Sequence, residues 1–308
     1  MANDAGILVS VIVPVRNGAR DLPELIACLD RQTFPHERFE VVIGDDGSVD
    51  GGSEGLDAPD GWIRVVRGPP QNSYAARNRA ARASRAPVLA FCDADCRPEP
   101  EWLERGASAL EHTDIAAGRF RFIVPDRITV WALIDMDGTK DHERQVSNAN
   151  AETANLFLRR ELFDRMGGFD DTISEQGDFD FVERCVTAGA KLTYTPEAVV
   201  WHPVRTRARS LLRSLWIYNH GYGVRATRDG KVPEALKLRT WVPIVSPLRS
   251  RRRFGKSLAG PDKRWLAEHG VHPTLGERLA SLPLLYLALP YLRVAAQLSG
   301  WWAGRRLR

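Results

Sequence analysis

Short apolar runs and helical periodicity alternate along the first part of the chain. Leu8–Val13 is rich in β-branched residues, and apolar positions at helical spacing follow over Leu22–Leu29. The strand-like composition recurs in three further runs, Phe39–Ile43, Trp62–Val66 and Val88–Cys92. An alanine-rich stretch at 74–83 predicts a helix between the last two runs. Strands that alternate with helices indicate an α/β fold with a mostly parallel, Rossmann-like central sheet flanked by helices.

The pattern changes twice further along the chain. After a less regular middle, the sequence predicts a helix over Asp178–Ala188 and strands over Leu192–Tyr194 and Ala198–Trp201. Beyond that point arginine-rich helical segments are punctuated by prolines. We therefore expect an α/β domain at 1–205 and a basic, mainly helical region at 206–308.

The charge distribution supports this division. Up to His202 the chain carries 22 basic and 34 acidic residues, whereas from Pro203 onward it carries 21 basic and 5 acidic residues. An acidic body with a basic tail indicates contact with a polyanion or an anionic membrane. With 44% hydrophobic and 27% charged residues among 308, a disordered chain and a multi-span membrane protein are excluded.

Cysteine usage and the N-terminus bear on the compartment. The four cysteines, Cys28, Cys92, Cys96 and Cys185, include no Cys-x-x-Cys pair, which disfavours a disulfide scaffold. The first residues lack the basic start of a signal peptide. We expect a reducing, cytoplasmic location.

Acidic residues follow two of the predicted strands. Asp45 and Asp46 end the second strand, and Asp93-Ala94-Asp95 follows the fourth. Two carboxylates in one turn can ligate a divalent cation, which in turn neutralises a diphosphate. Each cluster by itself is also compatible with an ordinary capped turn. Because loops at the carboxyl ends of the strands converge, and Arg77 opens the intervening helix, the pattern favours a nucleotide-diphosphate site.

Seven ordered blocks of the sequence resemble family 2 glycosyltransferases of the GT-A fold. The resemblance covers about the first 200 residues. The blocks are Val9–Asn17, Val41–Asp50, Ala76–Asn78, Phe91–Asp95, Gly167–Asp171, Gly177–Asp180 with Arg184, and Tyr194–His202. The resemblance implies inverting transfer of a sugar from a nucleotide-sugar donor, with a UDP-sugar favoured, to a hydroxyl acceptor. It also implies that 1–205 is a catalytic domain, with a nucleotide-sugar half at about 1–120 and an acceptor and base half at about 121–205.

The resemblance also implies roles for individual residues. The nucleotide would be bound by Pro14, Arg16, Asp46, Arg77 and Asp93. Mn²⁺ or Mg²⁺ would be held by Asp95, and His202 matches a position that approaches the metal or diphosphate in some relatives. An alternative for His202 is a packed histidine at a strand end. Asp178 would be the general base, since inversion requires a carboxylate across the sugar from the leaving group.

The sequence departs from the family pattern next to the proposed base. Gly177 stands where an acidic residue usually precedes it, and Glu175 and Asp180 are possible substitutes or rival bases. Asn155 is a further candidate on the sugar and acceptor side, with a purely structural role as its alternative.

The composition of the C-terminal segment 279–308 indicates binding to a membrane surface. Leu279–Leu292 contains no charged residue, but it is shorter than the ~20 residues needed to span a bilayer and contains two prolines. Tryptophans and arginines follow it, which predicts an interfacial helix pair on an anionic membrane. The alternative is a helical hairpin packed on the core or on another subunit, and the oligomeric state is left open.

Several classes of function are compatible with these features. The favoured one is a glycosyltransferase that acts at the inner face of the cell membrane on a lipid-linked or cell-surface glycan. The alternatives are a non-catalytic GT-A scaffold, a nucleic-acid-binding protein that uses the basic tail, and a nucleotidyltransferase. The tail lacks a nucleic-acid-binding module, so no nucleic-acid partner is expected. A nucleotidyltransferase would need a glycine-rich, lysine-bearing loop after the first strand, which is absent.

Overall fold

The computed structural model describes residues 6–57, 61–126, 128–138, 142–232, 267, 272–284 and 288–306. Among them, those within 1–121 and 140–202 form one compact unit, and those within 122–139 and 203–308 form a second. The segment 122–139 thus groups with the basic C-terminal region, whereas the sequence pattern assigns it to the acceptor half. The basic cluster at 249–253 lies outside the described residues.

An eight-stranded mixed sheet forms the framework of the first unit. Its strands are β1 (Val9–Val15), β2 (Phe39–Asp45), β3 (Ile63–Arg67), β4 (Val88–Cys92), β5 (Arg97–Pro98), β6 (Ile115–Ile123), β7 (Asn155–Arg159) and β8 (Leu192–Pro203). Their spatial order is β3-β2-β1-β4-β7-β6-β8-β5. Strands β1 to β4 are parallel, β7 is antiparallel to β4 and β6, and β5 is antiparallel to β8. The α/β class is confirmed: β1–β4 form a parallel block, and β6 runs in the same direction as β4 because β7 is antiparallel to both.

Ten α-helices are described along the chain. They are α1 (Leu22–Asp30), α2 (Ser73–Ala83), α3 (Trp102–Ala109), α4 (Val130–Gly138), α5 (His142–Val146), α6 (Arg160–Arg165), α7 (Gly177–Thr187), α8 (Ala208–Arg228), α9 (Leu275–Pro283) and α10 (Leu289–Arg306). The three helices predicted in the first unit, α1, α2 and α7, lie close to their predicted positions. The two short strands predicted around Pro196 are instead one strand, β8. Proline has no N–H to donate to a neighbouring strand. Pro196 lies outside the part of β8 that pairs with β5, because β5 pairs with Val200 and Trp201.

Strand β1 contributes side chains to two apolar cores on opposite faces of the sheet. Val9, Val11 and Val13 are fully buried in one cluster, and Ile12 is fully buried in the other. Alternate residues of a strand point to opposite faces of the sheet, so both faces must be covered. Helices α1 and α3 contribute to the first cluster, and α2, α6 and α7 contribute to the second. Because β1–β4 are parallel, their carboxyl ends lie together at one edge of the sheet.

The second unit is built from helices. Ile134, Leu211 and Leu289 form a small buried cluster that joins α4, α8 and α10. Helices α8 and α10 approach so closely that a Cβ added at Gly300 would lie 1.9 Å from the carbonyl oxygen of His220. No helix in the part of the chain that the structure describes combines the length and the apolar character needed to cross a membrane.

Candidate active site

The two aspartates at the end of β2 have different partners. Asp45 accepts hydrogen bonds from the Ser48 amide at 2.7 Å and from the Ser53 hydroxyl. Burial by itself would raise the pKa of Asp45, but these hydrogen bonds outweigh burial and lower it from its ordinary value. Asp45 therefore stays ionised and shapes the turn that follows β2.

Asp46 is held at the start of the same turn. Its two carboxylate oxygens accept from the Gln71 amide at 3.0 and 3.2 Å, and one of them pairs with Arg79 at 3.2 Å. The residue is only 4% exposed. Asp46 thus connects the end of β2 to the segment that leads into α2. Arg79 is a partner that the sequence pattern did not indicate.

Arg77 and Asp93 meet at the carboxyl edge of the sheet. Arg77 lies on α2, Asp93 directly follows β4, and their side chains form an ion pair at 2.5 Å. The Arg77 guanidinium also lies 5.4 Å from the centroid of the Tyr74 ring. Its Nε is buried and, among the described atoms, has no hydrogen-bond partner. The structure therefore brings together two of the predicted nucleotide-binding residues.

The other two predicted nucleotide-binding residues lie at the end of β1. Pro14 is buried in the strand, and Arg16 is exposed directly after it. The next residue, Asn17, has a φ of 58°, and its backbone amide donates to the Ser48 hydroxyl at 2.9 Å. The loops after β1 and β2 are therefore joined at the same edge of the sheet.

A potential metal-binding cluster lies next to this edge. Asp95, Cys96 and His202 each offer a ligand atom, and the three atoms lie within 4.8 Å of one another. Cys96 is fully buried, and burial together with the neighbouring Cys92 raises the pKa of its thiol well above the ordinary value. Carboxylate oxygen is the ligand in this cluster that suits Mg²⁺ or Mn²⁺, imidazole nitrogen is a common ligand of divalent metals, and sulfur suits softer metals.

The predicted base lies at the N-terminus of α7. Asp178 accepts a hydrogen bond from the hydroxyl of Tyr74 at 3.2 Å, and its Oδ1 also accepts from the Phe179 amide at 3.0 Å. A helix N-terminus favours an anionic side chain in its first turn. Burial, and secondarily the negative charge of Asp178, raises the pKa of Glu175 from 4.5 to about 7. Glu175 thus lies within electrostatic reach of Asp178 and is protonated below neutral pH.

Asp180, one of the predicted acceptor-side residues, has structural partners. Asp180 pairs with Arg184 at 2.9 Å, and Arg184 also donates to the carbonyls of Met166 and Gly168. This contact network fastens α7 to the loop before it.

Asn155 lies inside the sheet. It is fully buried, accepts from the Trp102 indole at 2.9 Å, and donates to the carbonyls of Arg119 and Ala198. These contacts favour the structural alternative for Asn155 over a direct contact with a sugar. The Asn155 amide joins neighbouring strands, because a buried amide must satisfy its donors internally.

Three features of the site were missed by the motif analysis. Arg79 pairs with Asp46, the Tyr74 hydroxyl contacts Asp178, and Cys96 lies beside Asp95. Arg79 and Tyr74 both lie on α2 close to Arg77, so their position on one helix was the available signal. Their partners could not be identified without the tertiary contacts.

This strand order, with acidic side chains gathered at the carboxyl edge of the parallel strands, defines a glycosyltransferase fold of the GT-A type. The chain belongs to glycosyl transferase family 2, because the sequence profile of that family matches residues 10–167, about half of the chain. Glycosyltransferase activity is the activity that this family and the chain's curated relatives share.

One curated relative and two solved structures illustrate the similarity. The chain is 34% identical over 204 residues to Glycosyltransferase AglE of Haloferax volcanii, covering 64% of this chain and 67% of that protein. The mannosyltransferase PcManGT of Pyrobaculum calidifontis, solved with GDP-Man and Mn²⁺, superposes with a TM-score of 0.57 at 17% identity, covering 98% of this chain and 88% of that one. S. aureus TarS 1-349 with UDP superposes with a TM-score of 0.53 at 16% identity, covering 98% and 92%.

Proposed function

We propose that the protein transfers a sugar from a nucleoside-diphosphate sugar to a hydroxyl acceptor with inversion at the anomeric carbon. The observation that carries this proposal is the convergence of Asp95 and His202, whose ligand atoms lie within 4.8 Å of one another beside the carboxyl edge. The Arg77–Asp93 ion pair lies at the same edge. Such an edge is where open α/β sheets bind nucleotides.

The residues present fit a divalent cation. Asp95 would supply an oxygen ligand and His202 a nitrogen ligand, while Cys96 would be a neighbour and not a ligand because Mn²⁺ and Mg²⁺ prefer oxygen to sulfur. Bound Mn²⁺ or Mg²⁺ would supply positive charge that stabilises the leaving nucleoside diphosphate. The half-buried carboxylate of Asp93 is neutralised by Arg77, which lessens repulsion between this edge and a diphosphate.

We assign the general base to Asp178. The acceptor hydroxyl gives its proton to the Asp178 carboxylate while its oxygen forms a bond to the anomeric carbon. The bond from that carbon to the diphosphate oxygen breaks, and the electron pair leaves with the nucleoside diphosphate. Asp178 is favoured over Asp180 because Asp180 is buried in an ion pair with Arg184. It is favoured over Glu175 because the Tyr74 hydroxyl and the Phe179 amide donate to Asp178, which stabilises its ionised form.

The donor and acceptor are proposed by class. TarS was solved with UDP, and PcManGT with GDP-Man and Mn²⁺. UDP and GDP-Man are both ligands of the kind that we propose Arg77 and Asp93 bind. Pro14, Arg16 and Asp46 complete the proposed nucleotide-binding set. We propose a UDP-sugar as the first candidate and a GDP-sugar as the second. The acceptor would be a hydroxyl of a lipid-linked or cell-surface glycan.

We further propose that the second unit holds the enzyme on the cytoplasmic leaflet of the membrane. Tyr291 and Trp302 on α10 are 45% and 61% exposed, and Arg305 and Arg306 near the end of that helix are exposed. Exposed aromatic and arginine side chains suit the headgroup region of an anionic bilayer.

Donor binding can be tested by thermal shift. We expect Mn²⁺ together with UDP-glucose or GDP-mannose to raise the Tm of the full chain, and EDTA to abolish the shift. Asp95→Ala should remove most of this shift, whereas Asp57→Ala, an exposed acid elsewhere in the unit, should leave it intact. If none of these nucleotides raises the Tm with or without Mn²⁺, a non-catalytic scaffold that binds a partner instead of a nucleotide becomes the better interpretation.

A further inference from the structure

Tyr74 contacts both residues at the start of α7. Its hydroxyl donates to Oδ1 of Asp178 at 3.2 Å. Its ring lies against Gly177, since a Cβ added at that glycine would be 2.8 Å from two ring carbons. Real Cβ atoms essentially never make contacts this short, so any side chain at position 177 would displace the ring or the helix. Tyr74 itself is only 6% exposed.

This contact explains the departure from the family sequence pattern. An acidic residue usually stands before the base, but here the space beside the base is filled by the Tyr74 ring and the position is a glycine. We propose that Tyr74 is a positioning residue that orients the Asp178 carboxylate and favours its charged form, in place of the acidic neighbour. This inference rests on the proposed function, because it assigns Asp178 the role of base.

The ring of Tyr74 is held in a defined place. The ring centroid of Tyr74 lies 5.7 Å from that of Phe169. The guanidinium of Arg77, also on α2, lies 5.4 Å from the Tyr74 centroid. Asn72 caps α2 by accepting from the Tyr74 amide at 3.0 Å, and its side-chain amide donates to the Asp171 carbonyl at 2.8 Å. The helix that carries the hydroxyl is therefore tied to the loop that leads into α7. A fixed donor of this kind can restrict the carboxylate to one orientation.

The charged and titratable neighbours favour the same role. Burial, reinforced by the charge of Asp178, raises the pKa of Tyr74 well above 10, so its hydroxyl remains a proton donor at working pH. Arg77 and Glu175 are the other charged groups with an electrostatic effect on Tyr74. A hydroxyl that donates to a carboxylate stabilises the ionised carboxylate. Such stabilisation keeps Asp178 ready to accept a proton.

A substrate-independent measurement tests the contact. In protein labelled with ¹³C at aspartate carboxyls, the Asp178 resonance is assigned by its loss in Asp178→Asn. Tyr74→Phe should move the titration midpoint of this carboxyl to higher pH by about one unit. Tyr194→Phe is the matched control, because it removes a hydroxyl that contacts Arg119 in the same unit. Gly177→Ala, which pushes on the ring and leaves the hydroxyl in place, should shift the midpoint in the same direction.

A double-mutant cycle tests whether the contact serves turnover. With UDP-glucose or GDP-mannose and Mn²⁺, release of nucleoside diphosphate should fall about 10-fold in Tyr74→Phe. In the Asp178→Asn background, the same change should cause no further loss, since the hydroxyl acts through Asp178. If Tyr74→Phe matches Tyr194→Phe in titration and turnover while Asp178→Asn is inactive, the role of Tyr74 is overturned and the base assignment stands. Full turnover in Asp178→Asn would instead overturn the base assignment.

Discussion

Acidic residues at the edge of the sheet differ in their burial and in their neighbouring side chains. Asp45 and Asp46 are buried and hold the turn after β2 through Ser48, Gln71 and other donors. Asp95, by contrast, is half-buried and lies close to His202. A carboxylate whose oxygens accept from amides contributes to the fold. A half-buried carboxylate beside an imidazole places together two ligand types that divalent metals take.

The neighbouring aspartates of α7 should separate catalysis from stability. Asp178→Asn should lower turnover by ~10² or more, the usual scale for a general base, while UDP affinity changes little. Asp180→Asn should instead lower the unfolding free energy by about 1–3 kcal/mol, because it removes a buried charged partner of Arg184. Turnover assays and urea unfolding of both variants measure this. If turnover instead depends on Asp180, the general base is Asp180 and not Asp178.

Glu175 should make stability depend on pH. Its pKa is raised from 4.5 to about 7, so the unfolded chain releases this proton at lower pH than the folded chain does. The contribution of Glu175 therefore becomes less favourable as pH rises from 4.5 to 7. Glu175→Gln should raise the Tm relative to wild type at pH 8 and less so at pH 5. Glu111→Gln, an exposed control, should show no such trend.

At the scale of elements, glycines set how closely helices approach. In the second unit, a Cβ at Gly223 of α8 would lie 2.1 Å from the carbonyl oxygen of Gln297 on α10. Gly300 makes the reciprocal approach to His220. Since each contact is with backbone, a larger residue can be accommodated only by moving a helix. The α8–α10 pair therefore depends on these positions more than on helix propensity.

Gly300→Ala should consequently destabilise the protein. We expect a loss of about 1–3 kcal/mol of unfolding free energy from overpacking, measured by urea unfolding. Gly276→Ala on α9 is the matched control, because a Cβ there meets only the Thr274 hydroxyl at 4.0 Å. That variant should be neutral or slightly stabilised, as alanine favours a helix over glycine. Equal losses in both variants would show that close packing of α8 on α10 is not the cause.

At the scale of the whole molecule, charge is divided along the chain. The 16 excess basic residues lie after His202, in the region that also carries the exposed aromatic residues of α8 and α10. Trp216, Tyr218 and Tyr222 on α8 are at least 37% exposed. Each arginine near an anionic surface contributes roughly 1 kcal/mol, and buried apolar area adds a salt-independent term.

Binding to anionic vesicles should depend on this region. We expect the full chain to float with vesicles of phosphatidylglycerol and phosphatidylcholine, less so at high salt, and little with phosphatidylcholine alone. Tyr291→Ser with Trp302→Ser should weaken flotation, whereas Val49→Ser, at a position 90% exposed in the first unit, should not. Equal flotation of all three proteins, or none with anionic lipid, would assign the tail to packing within the protein or against another subunit.

The sequence by itself determined the local elements and the type of site. Apolar periodicity along β1, β2, β4, α1 and α2 depends on neighbours in the chain, so it predicted these elements closely. Acidic residues at the ends of β2 and β4 indicated a nucleotide and metal site, since residues that follow parallel strands lie together at the carboxyl edge of the sheet.

Only the tertiary structure decided which side chains meet there. The pairing of Arg79 with Asp46 and the contact of Tyr74 with Asp178 join residues far apart in the chain. Likewise, Asn155 became part of the core because β7 pairs antiparallel with β4, which places it opposite Cys92. Such contacts depend on strand register and on how closely helices pack, and neither leaves a periodic signal in the sequence.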